Sequence, residues 1–329
     1  MTKKKRRVNS HQIHGLVVFK NNTIKEDRVQ ARKNNLKDIN QENKIKLLHE
    51  IIPFGAMYRY SIILANQSLA PITEIKLRIK IPAFISLVRY SPLSIKVKVS
   101  ETDEKEIKRI NLKSDKLNEE SNQQFNFYFT PTTINNQGEI STSVSFIDNK
   151  DFIRVINSEP IELVIVPINI EKKTIYSSEI GKFLKTDGIR KAIKSFGIGV
   201  KGRKDGEKHF NQIIKILENN NFQLIAEDKE KKISWYFGIE TNSKEDILVI
   251  GQIVSDKLEF IAASHNNSVL ISLLTKLSYD FKNSMLNIID SIDNIYNLEC
   301  KFCSNVLHYF PEKGMPIKCI KCNKEQVIW

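Results

Sequence analysis

From about Lys44 to Pro167 apolar and polar positions alternate. Tyr58, Tyr60, Ile62 and Leu64 alternate with Arg59, Ser61 and Ile63, and Ile75, Leu77, Ile79 and Ile81 with Lys76, Arg78 and Lys80. The pattern recurs at Ile95, Val97 and Val99, at Phe125, Phe127 and Phe129, at Val144 and Phe146, and at Ile161, Leu163 and Ile165. A period of two gives each strand one apolar and one wet face. Turn residues punctuate the runs: Asn66-Gln67-Ser68, Pro92, Thr130-Pro131 and Asn135-Asn136-Gln137-Gly138. Seven or eight short strands with no helix between them predict an antiparallel, immunoglobulin-like β-sandwich. Lysines on the outer faces blunt its sheet edges.

Past Pro167 the period changes. Phe210, Ile213, Ile214 and Leu217 fit one helical face, with Asp205 placed to cap it. Strand-like runs follow at Lys232–Glu240, Asp246–Val254 and Leu258–Ala263, with Ser255-Asp256 as the tight turn between the last two. Asn267 or Ser268 then caps a helix with the stripe Leu270, Leu274, Leu277, Phe281, Met285, Ile288, Ile292 and Ile295. Helices over an antiparallel sheet make a small α+β platform. The last helix would run about 28 residues, roughly 42 Å, against about 20 Å for the strands beneath it. Two outcomes stay open: an overhang carrying the tail, or a break near Asn283-Ser284. Gly197-Ile-Gly199-Val-Lys-Gly202 has the form G-x-G-x-x-G, but Ile189–Phe196 before it reads as a short helix ending at Gly197. A dinucleotide loop needs a strand there. The loop's Lys201, Arg203 and Lys204 could meet phosphates, a lipid headgroup included.

The sharpest chemistry lies at the end of the chain. Cys300-Lys-Phe-Cys303, fifteen residues, then Cys319-Ile-Lys-Cys322 hold all four cysteines. Two Cys-x-x-Cys turns can place four thiolates about 2.3 Å from one Zn²⁺. Four thiolates close the shell, so the expected zinc is structural, a single ion in a ribbon too small to build its own core. His308, between the pairs, is expected on the hairpin surface. Trp329 is expected to pack on the ribbon.

The 329 residues allow two or three domains, and the net charge is +13. Residues 1–50 carry 13 Lys+Arg against 5 Asp+Glu, so much of the excess sits in an N-terminal arm containing Lys3-Lys4-Lys5-Arg6-Arg7. Such an arm can meet nucleic acid or an anionic membrane. A short strand near Leu16–Phe19 is its one expected element. No signal-peptide core or membrane span is legible, so a cytoplasmic location, peripheral at membranes at most, is expected. The histidines (His11, His14, His49, His209, His265 and His308) are scattered, and no G-x-S-x-G, H-E-x-x-H or Walker loop occurs. Neither enzymatic activity nor a small-molecule substrate is expected. Trp235-Tyr236-Phe237 sits on a predicted strand, which sends Trp235 and Phe237 to one face.

Two stretches resemble the appendage (ear) domains of vesicle-coat subunits, coatomer gamma above all and the clathrin adaptors less. Phe54-Gly55-Ala56, the run Tyr58 to Ser68 and then Ile72–Ile81 look like the family's opening strands. Tyr236-Phe-Gly-Ile239, Asp246-Ile-Leu-Val249 and Leu258–Ser264 look like its platform meander. The likeness covers about Lys44 to Leu277 and implies a scaffold that recruits short aromatic peptides of protein partners. The family's platform Trp has no counterpart between Ile175 and Gly188, where Tyr176 and Phe183 stand, and its basic residue falls at Ser264 or His265. The peptide site is therefore not carried over. The expected organisation is a basic arm (1–43), an immunoglobulin-like sandwich (44–167), an α+β platform ending in a long helix (168–297) and a four-cysteine zinc ribbon (298–329). The expected function is a non-enzymatic adaptor, with Trp235, Phe237, His265, Lys201, Arg203 and Lys204 as candidate partner contacts. The alternative is nucleic-acid binding through arm and ribbon.

Overall fold

The computed structural model describes residues 43–101, 106–199, 206–286 and 292–329. The basic arm before residue 43, the loop with Lys201, Arg203 and Lys204, and the predicted cap Asp205 lie outside the described residues.

The first ten strands form an immunoglobulin-like sandwich. They are β1 (Ile45–Phe54), β2 (Met57–Asn66), β3 (Ile72–Pro82), β4 (Ile85–Ser91), β5 (Val97–Glu101), β6 (Ile107–Leu117), β7 (Ser121–Pro131), β8 (Asn136–Ile147), β9 (Ile153–Asn157) and β10 (Ile161–Ile165). A four-stranded sheet runs β1-β2-β7-β4. It faces a six-stranded sheet ordered β10-β8-β3-β6-β5, with β9 also on β8. The alternation fixes which residues turn inward: Tyr60, Ile62, Leu77, Ile79, Phe125, Phe129 and Val144 are fully buried in one core. Ten strands form where seven or eight were expected. In β1 almost every position is half-buried, and β6 mixes lysines with its apolar set, so neither shows a clean period. The predicted turn at Asn66 is locked by its own amide. It donates to the carbonyls of Ala70 (2.9 Å) and Asn118 (3.0 Å) and accepts from the Ser68 N–H (3.0 Å).

The Tyr60 hydroxyl ties the two sheets, 2.7 Å from Thr142 Oγ1 and 2.9 Å from His49 Nδ1. Burial pushes the Tyr60 phenol up to about 12 and the His49 imidazole below its ordinary 6.5. A histidine whose folded-state pKa is depressed stabilises the fold above its unfolded value and loses that contribution as pH falls. Acidification below pH 6.5 should therefore lower the unfolding midpoint of the native chain more than that of His49→Gln. Parallel pH profiles for the two would discard His49 as the cause.

The platform follows: β11 (Ile170–Lys172), a 3-10 turn at Ser177–Glu179, α1 (Ile180–Phe183), β12 (Arg190–Ile198), α2 (Gly206–Asn219), β13 (Gln223–Asp228), β14 (Ile233–Glu240), β15 (Asp246–Val254), β16 (Lys257–Ser264), α3 (Asn267–Met285) and β17 (Ile295–Asn297). Its sheet of seven strands runs β11-β14-β15-β16-β12-β17, with β13 on β14. The Ser255-Asp256 turn has both φ angles positive, 51° and 60°, as a two-residue hairpin requires. Helices α2 and α3 bury Phe210, Ile213, Leu217, Leu270, Leu274 and Phe281 against one face of the sheet. Asn266 caps α3, its Oδ1 accepting from the Ser268 N–H at 2.9 Å.

Two expectations are corrected. Ile189–Phe196 is not a short helix. Arg190 to Phe196 belong to β12, a strand hydrogen-bonded to β16 on one side and β17 on the other. The helical spacing of Ile189, Ile193 and Phe196 was coincidental, because both faces of β12 are covered and the period is lost. Nor does the platform end in a long helix. Of the open alternatives the break holds: α3 stops at Met285, Ser284 Oγ turns back onto the Phe281 carbonyl (2.9 Å), and Ile295 serves β17 instead of a helical stripe.

α3 also joins the domains. It touches β12 and β16 on one side and β1 and β7 on the other. Ile271 belongs to the sandwich core, while Ala56 of the β1–β2 turn belongs to the platform core. Among the described residues no helix is long and apolar enough to cross a membrane.

Candidate metal centre and partner surface

The tail folds around its four cysteines. Two knuckles repeat one hydrogen-bond pattern. The Cys300 N–H donates to the Asn305 carbonyl (2.8 Å) and the Ser304 N–H to the Cys300 carbonyl (2.7 Å). The Cys319 N–H donates to the Lys324 carbonyl (2.9 Å) and the Asn323 N–H to the Cys319 carbonyl (2.8 Å). Ser304 and Asn323, each just after a second cysteine, take φ of 57° and 56°. That left-handed step suits Asn and is uncommon for Ser. The second knuckle joins β18 (Pro316–Lys318) to β19 (Glu325–Val327).

All four Sγ atoms lie within 4.8 Å of one another. Cys300 to Cys322 and Cys303 to Cys319 are both 3.6 Å. A disulfide would be about 2.05 Å, and four sulfurs around one tetrahedral ion at about 2.3 Å would be about 3.8 Å apart. The four cysteines therefore form a site that can hold a metal ion. Burial pushes the Cys303 thiol up to about 12, and the neighbouring thiols add to it. Burial acts on Cys319 too, but the N–H groups of Cys322 and Lys321, together with the Cys303 and Cys300 thiols, offset it and bring that thiol down to about 7. Four crowded thiolates repel, so a cation at their centre lets them ionise together and releases protons on binding. His308 is exposed and packs on Tyr309, away from the sulfurs.

The centre is seated on the rest of the chain. Phe310, Trp329 and Tyr296 stack, with centroids 5.2 Å apart for Phe310–Trp329 and 6.1 Å for Tyr296–Phe310. The stack lies on the end of β12, where Gly197, and Gly199 just beyond the strand, leave room. A Cβ on Gly197 would stand 2.3 Å from the Phe310 ring, and one on Gly199 3.0 Å from Tyr296. These glycines open the G-x-G-x-x-G sequence, and their i, i+2 spacing is that of one strand face. Trp329 Nε1 donates to the Pro311 carbonyl (2.9 Å). Lys194 of β12 and Glu299 form an ion pair at 3.0 Å with both side chains 8% exposed. Arg89 lies 3.4 Å over the Tyr128 ring and donates from Nε to Ser304 Oγ (2.6 Å), reaching the first knuckle from the sandwich.

The platform face opposite the helices carries the aromatic candidates. Register places Trp235, Ile250, Ile261 and Ile193 in one row across β14, β15, β16 and β12, and all four are half-buried. One adjoining row, Phe237, Leu248 and Ala263, lies buried beneath Phe183, Leu184 and Ile180. Phe237 is thus corrected as a partner contact: it is core, edge-on to Phe183 at 5.3 Å. The other adjoining row holds Gln252, Glu259 and Ser195. There the buried Glu259 accepts from Lys257 Nζ (2.7 Å), Gln252 Nε2 (2.7 Å) and Ser195 Oγ (3.3 Å). His265 follows the end of β16, 3.7 Å from Glu245 and apart from the Trp235 row. Lys201, Arg203 and Lys204 lie outside the described residues.

No protein-family model matches this chain, and no curated protein does. Solved structures resemble it weakly. An uncharacterized protein from Nocardia farcinica with an immunoglobulin-like fold is 12% identical over 37% of this chain and 97% of its own, at a TM-score of 0.27. The major pilin SpaD of Corynebacterium diphtheriae is 13% identical over 47% of this chain, at 0.28. The match covers 42% of SpaD, less than half of its length. The major pilin subunit BcpA of Bacillus cereus is 10% identical over 67% of this chain and 66% of its own, at 0.26. None of these is a vesicle-coat appendage, and TM-scores this low carry no inference about activity or partners.

Reading the sequence alone missed Lys194, Glu299, Gln326 and Phe310. Gln326 is buried, accepts from the Lys301 N–H (2.8 Å) and donates to the Glu299 carbonyl (3.3 Å), clamping one knuckle to the other. A lone polar residue among charged neighbours gives no sequence signal for this. The glycines at 197 and 199 were a signal for Phe310, had they been assigned to a strand.

Proposed function

We propose that this chain is a non-enzymatic interaction scaffold whose platform docks a short segment of a protein partner. The observation that carries the reading is the half-buried row Trp235, Ile250, Ile261 and Ile193. It lies between the α1 cover and the buried Glu259 cluster, with the exposed Lys191 at the end of the Phe237 row. An apolar strip with an aromatic side chain and a basic rim suits a peptide with an apolar anchor and acidic flanks. The resemblance of domain order to coat appendages supports this use, although the aromatic side chain here stands on β14. The four-cysteine centre holds one structural Zn²⁺, as a closed all-thiolate set favours, and fixes the tail against the platform. A cytoplasmic location follows from this reading, since reduced thiols persist there.

Crosslinking in the native host tests it. Trp235→Ser and Ile250→Ser should each lose the protein adducts that the native chain forms, with the fold intact by circular dichroism. An unchanged adduct pattern in both would overturn the reading. One observation favours nucleic acid as a second reading. The Phe302 ring at the first knuckle has Lys301 Nζ at 5.2 Å and Lys324 Nζ at 4.8 Å, an aromatic between two cations. That reading requires a salt-sensitive mobility shift with mixed DNA and RNA that Phe302→Ala abolishes.

A further inference from the structure

The sandwich presents a second surface, remote in chemistry from the platform row. Lys76, Arg78, Lys80, Lys98, Arg109 and Lys113 are all exposed and stand on the outer face of the six-stranded sheet. Register fixes their arrangement, because directly paired residues project to the same side. Lys113 pairs with Lys76, Asn111 joins Lys98 to Arg78, and Arg109 pairs with Lys80. The rows continue on β8 through Ser145, Ser143 and Ser141. Among the described residues no carboxylate stands within these rows. Glu74 reaches Lys76 at 3.8 Å from one end of the patch. Glu139 and Glu162 pair at the other end, on β8 and β10. Five strands at about 4.8 Å make the face roughly 20 Å wide.

Its far edge is apolar. Ser145 pairs with Val155, so the Lys113–Lys76 row ends on an aliphatic side chain 59% exposed. Ile153, on the same face of β9, is 75% exposed, and Phe152 beside it 58%. The turn that carries them is held rigid. Asp148 accepts from the N–H groups of Lys150 (2.9 Å) and Phe152 (3.0 Å) and from Arg154 Nε (2.9 Å), while its own N–H donates to the Phe152 carbonyl (3.0 Å). An apolar tip fixed outward, in line with rows of cations, has a use only against a partner that offers both anions and hydrocarbon.

We propose that this face docks the protein on an anionic lipid bilayer, with the six cations over the headgroups and Phe152, Ile153 and Val155 in the acyl boundary. Basic side chains near a bilayer are drawn to its negative surface, and apolar ones enter the interface beside them. Nucleic acid fits less well. Sheet surfaces that bind single strands stack bases on aromatic side chains, and the cation rows contain none, while aliphatic Ile153 and Val155 find no counterpart on a phosphate backbone. The inference does not depend on the platform reading.

The test is co-sedimentation of the full chain with phosphatidylcholine vesicles, with and without phosphatidylserine. Binding is expected only to the phosphatidylserine vesicles and should weaken with salt. Arg78→Gln with Arg109→Gln should weaken it about thirty-fold. Ile153→Ser should weaken it without changing the salt dependence. All three residues are exposed, so the unfolding midpoint checks that each variant folds as the native chain does. If the double variant binds as well as the native chain, the charge is supplied elsewhere, as by the N-terminal arm, and the proposal falls. It falls equally if no vesicle is bound, or if the same variants abolish binding to DNA or RNA while vesicles stay unbound.

Discussion

Chelation of the metal ion from the loaded protein, or Cys303→Ser, is expected to unfold residues 298–329 and to loosen the platform with them. Structural zinc contributes about 10–16 kcal/mol to small modules that have no other core. The tail's own apolar cluster is small, with Leu307 and Ile317 joining the cysteines. Without the ion the knuckles have nothing to hold them. A separable module would take only itself away, whereas the seating of the tail on β12 predicts a loss that spreads into the platform. When the tail unfolds, Glu299 leaves Lys194, whose ammonium, 8% exposed in the intact chain, loses its carboxylate and is left beside Lys282. Lys282 is already held below its ordinary pKa, first by burial and then by the charge of Lys194. Removing one partner of a buried pair costs about 3–5 kcal/mol. Phe310 and Trp329 also leave β12, exposing the glycines beneath them.

The measurement is hydrogen exchange by segment. Amides of the tail and of β12 and β17 should lose protection together, while sandwich strands β3 and β8 keep theirs. Lys194→Met should relieve the loss in β12, because no charge is then left behind. Full protection of β12 after the tail has unfolded would show that the ion pair and the aromatic stack carry no load between the parts.

What was legible in the sequence had local spacing behind it. The knuckles span four residues each, and their pairing across fifteen is a short loop. The sandwich strands announce themselves because one face of each is wet. Platform strand β12 does not, since Ala192 and Phe196 meet the helices while Ser195 is buried on the other side. A strand covered on both faces loses its period and can pass for a helix. The end of α3 was ambiguous for a related reason: Ile292 and Ile295 keep helical spacing by accident, and only the pairing of β17 with β12 shows where the chain goes. The Trp235 row needed four strands in register, and the basic face needed the order β5-β6-β3-β8-β9, neither of which any single segment contains. Phe237 shows the limit most plainly. Alternation placed it on the correct face of β14, but α1, far earlier in the chain, decides that it is buried.

Gly197 and Phe310 should behave as one unit. Phe310→Ala removes a ring only 2% exposed, a change that costs about 3–5 kcal/mol in a packed core. Gly197→Ala places a methyl 2.3 Å from a ring carbon of Phe310, and overpacking of this kind costs about 1–3 kcal/mol. Neither number isolates the contact. The double variant does: with the ring gone, the alanine methyl has space, and alanine is favoured over glycine within a strand by about 0.5–1 kcal/mol. Gly197→Ala should therefore change from destabilising in the native chain to neutral or mildly stabilising in the Phe310→Ala background. The two effects should miss additivity by more than the ~0.5 kcal/mol scatter of independent sites. Urea unfolding of the metal-loaded chain, followed by Trp329 fluorescence in a Trp235→Phe background, gives all four corners of the cycle. Additive effects would mean that Phe310 is not seated on Gly197 and that the tail is held to the platform by the Lys194–Glu299 pair and β17 alone.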